Sequence, residues 1–162
     1  MPEIHQRIYI KCNPDSVFEA LTTQSGLSSW WTPHLEMQLD LCRFYFGESY
    51  FKEMKIVQTL SNESVKWKCI QGAEEWIQTN ITFKLLYAGN DVKSYPEMND
   101  QINQSEDQQA GTILDFRHND WKNNSDSFAE CSYTWGRFLR SLKLYCETGK
   151  GNPWPHQHTV FV

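Results

Sequence analysis

The last third of the sequence carries the pattern that most restricts its fold. Phe128, Cys131, Trp135, Phe138, Leu142 and Tyr145 recur at spacings of three and four, the period of one face of an α-helix. Ser127-x-x-Glu130 has the form of a capping box at the start. Gly149 is placed to end the helix in a left-handed C-cap. Roughly 21 residues at about 1.5 Å each give a helix of about 32 Å, as long as a small domain is wide. An aromatic stripe of that length must be buried against another element. Arg137, Arg140 and Lys143 lie mostly off the stripe and are expected to be solvated.

The covering surface reads as β. Residues 3–12 alternate, with Ile4, Ile8, Ile10 and Cys12 on one side and His5, Arg7, Tyr9 and Lys11 on the other. Asn13-Pro14 then supplies an N-cap followed by proline at the first helical position, and Val17, Phe18 and Leu21 form the buried stripe. Ser25 is expected to cap a second short helix through Leu27 to Trp31, ended by Pro33. From there to about residue 118 the period is two. Leu35, Met37, Leu39 and Leu41 alternate, then Cys42, Phe44 and Phe46. Residues 50–60 follow, with Met54 and Ile56 on one face. After the polar turn Ser61-Asn62-Glu63-Ser64 come Val65, Trp67 and Cys69. Residues 75–88 predict the longest strand, carrying Ile77, Ile81, Phe83, Leu85 and Tyr87, and Gly111 to His118 the last. Short turns make this an antiparallel meander of five or six strands. Residues 89–110 are polar and acidic, and are expected to form a loop insertion. The class is α+β: two short helices after the first strand, and a curved antiparallel sheet wrapped around a long C-terminal helix.

Composition sets the functional range. Fifteen Lys and Arg stand against twenty Asp and Glu, a net charge of −5, with no clustered run of bases. Nucleic acid and membrane surfaces are therefore not expected partners. Five widely spaced cysteines without a C-x-x-C pair suggest neither a zinc ribbon nor a redox pair. They fit buried thiols in a reducing compartment. With no signal-peptide pattern at Met1-Pro2-Glu3-Ile4 and no long apolar run, a soluble cytoplasmic protein is expected, with no cofactor and no metal. Seven Trp, seven Tyr and nine Phe in 162 residues mean either a dense aromatic core or a lined apolar cavity.

Five segments carry a resemblance. They are Val17-Phe18-x-Ala20-Leu21-Thr22 with Trp30-Trp31; Val65-x-Trp67-x-Cys69; Glu75-Trp76-x-x-Thr79-x-Ile81-x-Phe83; His118-x-x-Trp121; and Cys131-x-x-x-Trp135-x-x-Phe138-Leu139, continuing to Gly149-x-Gly151-x-Pro153. Their order and spacing, over residues 4–153, resemble the stand-alone bacterial relatives of the activator of heat-shock-protein-90 ATPase. That family lies in the START-like (SRPBCC, helix-grip) superfamily. The resemblance implies a helix-grip fold over residues 1–153, followed by a tail at 154–162, and a cavity between sheet and helix. Gln78 and Asp120 stand where relatives often carry glycine, which marks both as turn or bulge positions.

Three functions follow as alternatives. The first is binding of a small apolar or amphipathic ligand, with Trp31, Phe44, Phe46, Trp67, Trp76, Phe83, His118, Trp121, Trp135 and Phe138 as pocket candidates; Trp30 belongs to the same aromatic set. The second is a chaperone-associated or stress-response interaction module. The third is a pocket enzyme of cyclase or hydrolase type, in which His118, His5 or a carboxylate would face the pocket as a base. No partner acid or nucleophile stands near His118 in sequence, so a structural hydrogen bond is the simpler role. His156-x-His158 lacks a third metal ligand and reads as part of a solvated tail. Asp115 and Arg117 read as a surface pair.

Overall fold

In the computed structural model residues 1–88, 96–103 and 111–160 are described. Strand β1 (Ile4–Ile10) leads into α1 (Pro14–Thr22) and α2 (Gln24–Trp30). Six strands follow: β2 (Leu35–Gln38), β3 (Leu41–Tyr45), β4 (Phe51–Leu60), β5 (Ser64–Gln71), β6 (Asn80–Tyr87) and β7 (Thr112–Asn119). A short 3-10 turn (Glu74–Trp76) sits between β5 and β6, α3 (Pro96–Asn103) between β6 and β7, and α4 (Asp126–Thr148) closes the fold. The sheet is antiparallel throughout, in the order β1-β7-β6-β5-β4-β3-β2. The expected meander is β2 to β7, and β1 pairs with β7 through Ile4 to His118 and Ile10 to Thr112.

Inward residues come from alternate positions on each strand: Ile4 and Ile10, Phe44, Met54, Val65, Trp67 and Cys69, then Ile81 and Phe83, Leu114 and Phe116, all buried. They pack on Trp135, Phe138, Leu139 and Leu142 of α4. The Asn13 side chain accepts from the Ser16 N–H at 2.9 Å and Pro14 opens α1, the expected start. Gly149 closes α4 at φ 84°, and its N–H reaches the Tyr145 carbonyl.

Several local expectations are corrected. Thr23, not Ser25, caps α2, accepting from the Gly26 N–H. Ser125, not Ser127, caps α4, accepting from the Phe128 N–H. Hydroxyl donation from Ser125, beside its capping role, and from Ser127 holds the Glu75 carboxyl below the usual range. Leu39 is not in a strand; it sits at the β2–β3 turn with φ 56° and is 95% exposed. The strand expected from residue 75 begins only at Asn80, because Glu74–Trp76 turns inward to bury Trp76. Within the expected loop, Pro96–Asn103 is helical. It packs Met98 onto Tyr9, Ala88 and Ile113 on the outer sheet face, which is why Tyr9 is buried. The remaining parts of that loop, 89–95 and 104–110, lie outside the described residues.

Beyond Gly149 the chain folds back onto α2 and α4. Trp154 N–H donates to the Trp31 carbonyl at 2.8 Å, and Arg137 holds the Gln157 carbonyl. His156 and His158 are exposed, His158 stacking on Tyr133 at 5.6 Å. The described part of the tail, residues 154–160, is docked rather than free. Asp115 is no open surface pair either. It is 6% exposed and meets Arg7, Arg117 and His5 at 2.9, 3.0 and 3.1 Å.

Candidate functional site

Trp31 is the centre of the aromatic interior. It emerges at the C-terminus of α2, where Ser141 of α4 donates to the Trp30 carbonyl at 2.7 Å and fixes the approach of the two helices. Its ring lies 5.6 Å from Trp67 with planes 13° apart, and 5.9 Å from Trp30 at 11°. Phe44 is 4.2 Å away, Trp135 5.4 Å and Phe46 5.6 Å. Phe83 stands edge-on to both Trp67 and Phe116. Such offset and edge contacts each add about 0.5–1.5 kcal/mol beyond burial. The middle of the helix–sheet interface is therefore filled by rings.

His118 is inside this interior with no solvent access. The Trp135 indole N–H can only donate, so it fixes His118 Nδ1 as the acceptor, at 3.1 Å. The proton then sits on Nε2 and is donated to Thr79 Oγ1 at 2.8 Å, and Thr79 passes its own proton to the Trp76 carbonyl at 2.5 Å. This relay holds the ring neutral. Burial, assisted by the positive charge of Lys52, lowers its pKa to about 3. Both nitrogens are committed, so His118 has no free position from which to act as a general base. His5 is on the opposite sheet face with Asp115.

A cleft of about 220 Å³ opens beside the filled interior. Its floor is Trp31, Trp76, Trp135 and Phe138; Glu130, Cys131 and Thr134 of α4 form one wall and Lys52 of β4 the other. Four of the ten pocket candidates thus come together there. Phe46 lies beside Lys52 and contacts Trp31 and Phe138. Phe44, Trp67, Phe83 and His118 are packed deeper. Trp121 packs between Trp76 and Phe128 and borders a separate 90 Å³ recess with Glu74 and Glu75.

Lys52 is the group that the sequence reading passed over. Its partner across the sheet is Phe44, an inward residue, and it stands two positions before buried Met54 on the same face. Period two alone marks it as inward-pointing. Its Nζ sits 3.4 Å from the Trp76 ring centroid and 5.2 Å from that of Phe46, a desolvated cation–π arrangement. It makes no ion pair with any of the described residues. Burial lowers its pKa to about 8, against the opposing pull of Cys131 and Cys69. Cys131 in turn accepts from the Trp76 indole N–H at 3.3 Å. Among the described residues no group of three His, Cys, Asp or Glu side chains is placed to hold a metal ion.

The fold recurs in solved structures. The Aha1 dimer from Colwellia psychrerythraea superposes with a TM-score of 0.73 at 30% identity, over 93% of this chain and 100% of that one. The chain belongs to the Aha1 family. A protein from Staphylococcus saprophyticus shares the fold at 15% identity and a TM-score of 0.65, over 93% of this chain and 95% of its own. So does CalU16 from Micromonospora echinospora, at 15% and 0.60, over 96% and 78%. No protein-family model and no curated protein matches the sequence. The Aha1-type helix-grip fold explains why a long helix and a curved sheet face one another here. Gln78 and Asp120, expected as turn or bulge positions, have φ 74° and 68°; both are left-handed positions.

Proposed function

We infer that this Aha1-family chain binds a small amphipathic molecule in the cleft, with its apolar body on Trp31, Trp135 and Phe138 and its polar end toward Lys52. The observation that carries this reading is the ring-floored cleft walled by an ammonium with no carboxylate partner among the described residues. A volume of about 220 Å³ falls below the range of about 300–1,000 Å³ typical of drug-sized ligand sites. The ligand is therefore one or two rings in size. The locked His118 argues against the pocket-enzyme alternative that depends on it. The unpaired thiols suit a cytoplasmic setting.

The test pairs native mass spectrometry, for a co-purifying ligand, with titration of a neutral environment-sensitive dye. Wild type is expected to bind the dye, and Thr134→Trp, which fills the cleft from α4, to lose it. A wild type that neither carries a ligand nor brightens the dye would end this reading.

Family membership favours a second reading, an interaction module acting on a heat-shock-protein-90 chaperone. A pull-down at physiological salt, with the chaperone's ATPase rate as readout, separates the two. No stoichiometric binding together with an unchanged rate would dispose of it.

A further inference from the structure

The chemistry of the cleft's polar end can be narrowed further. Lys52 reaches inward from β4 and places its Nζ over Trp76, with Phe46 at 5.2 Å and Tyr50 at 5.8 Å. This ring cage shields one side of the half-buried ammonium from the water that normally solvates it. The charged and titratable groups around it are few: Glu130 and Cys131 on α4, Cys69 on β5, Tyr50 ahead of β4, and His118 on β7. Cys69 and Tyr50 are held in their neutral forms by burial. Glu130 lines the same cleft from an exposed position on α4, so a ligand carboxylate would enter beside a like charge. A neutral carbonyl oxygen meets no such opposition. An amine in an apolar cage is also the arrangement that turns a lysine into a nucleophile.

We propose that Lys52 captures the carbonyl group of a small aromatic aldehyde or ketone as a reversible imine. The proposal rests on the ligand reading above and supplies its chemical class. The free amine's lone pair forms the C–N bond while the C=O π pair moves onto oxygen. Both amine protons then leave with that oxygen as water, giving C=N with atoms and electrons balanced. Reversal needs only water. The aryl group lies on the floor made by Trp31, Trp135 and Phe138, and the carbonyl carbon faces Nζ at the Lys52 wall.

The free amine is what reacts. Lys52, with a pKa of about 8, holds a free-amine fraction at pH 7 roughly 250-fold above that of an unshifted lysine. Labelling follows directly. The full chain is treated with benzaldehyde, which has no conjugated alkene for Cys131 to attack, together with cyanoborohydride, which reduces the imine to a stable secondary amine. Peptide mapping then reads each lysine. Lys52 is expected to label at least about tenfold faster than exposed Lys55, Lys84 and Lys122 at pH 7. Its rate is expected to level off above about pH 8, while theirs keep rising. Lys52→Met and Lys52→Arg should each lose this label, Lys52→Arg keeping the cation over Trp76.

Equal labelling of Lys52 and the exposed lysines in a wild type that binds the dye overturns carbonyl capture and leaves the ligand reading intact. Fast Lys52 labelling without dye binding supports capture and removes the apolar-cleft reading. Loss of both removes both.

Discussion

The buried relay through His118 makes acid stability a quantitative test of the interior. In the fold, burial lowers the His118 pKa from 6.5 to about 3; in the unfolded chain it returns to about 6.5. Protons therefore bind the unfolded state more readily. The contribution is fully present above pH 6.5 and falls away as pH drops from about 6.5 toward 3. At pH 5 the loss is about 2 kcal/mol, and below pH 3 it approaches roughly 5 kcal/mol, at about 1.4 kcal/mol per unit. The perturbation is His118→Gln, whose amide can accept from Trp135 Nε1 and donate to Thr79 Oγ1 without titrating. Other groups also weaken in acid, among them Asp115, whose carboxyl is held low by His5 and Arg117 against its own burial. The informative quantity is thus the difference between the two proteins. Urea unfolding at pH 7.5 and pH 5 is the assay. Wild type is expected to lose about 2 kcal/mol more than His118→Gln over that interval. Parallel losses within about 0.5 kcal/mol would show that His118 is not held neutral and would refute the relay.

Other substitutions probe other parts of the fold. Gln78→Gly, at φ 74°, is expected to raise stability by about 1 kcal/mol in thermal melts, since a left-handed backbone costs a side chain that much. Asp120→Gly should gain less, because Asp120 also accepts from Asn80. Gly26→Ala would set a Cβ 2.6 Å from the Ala20 backbone, and a loss of about 3 kcal/mol or more is expected by denaturant unfolding. Trp31→Ala should cost about 3–5 kcal/mol while increasing the dye capacity of the remaining folded protein, because it opens the filled interior into the cleft. Ser141→Ala removes the hydroxyl that donates to Trp30 and accepts from Asn152, and about 1–3 kcal/mol is expected to be lost.

Periodic features were legible in the sequence. The α4 stripe, the α1 cap and the alternation of β5 all depend on near neighbours, whereas Gln78 and Asp120 were marked as turn positions only through the family resemblance. Where two residues compete for one local role, the pattern pointed to the wrong one: Ser127 for Ser125, and Ser25 for Thr23. Either hydroxyl of each pair has the chemistry, and only the entry angle of the chain decides. Trp76 and Ile77 read as strand because the turn that buries Trp76 is set by α4, far along the sequence. The candidate site was half legible. Aromatic residues announce burial, but whether rings fill a space or line it depends on how Trp31 enters from α2, which no local pattern encodes. Lys52 was missed for a different reason: a lysine in a strand is ordinarily taken as solvent-facing, although its parity with Met54 places it inside.

The indole cluster also gives the protein a built-in optical signal. Trp31 lies nearly parallel to Trp30 and to Trp67, and Trp76 to Trp135, all with centroids within 6.0 Å. Transition dipoles this close couple, so the near-ultraviolet circular dichroism reports the relative orientation of the rings rather than their number. A collapsed state that kept its helices and strands but lost fixed packing would keep its far-ultraviolet spectrum and lose this band. Because Trp31, Trp76 and Trp135 also floor the cleft, the same band responds to an occupant without any added label.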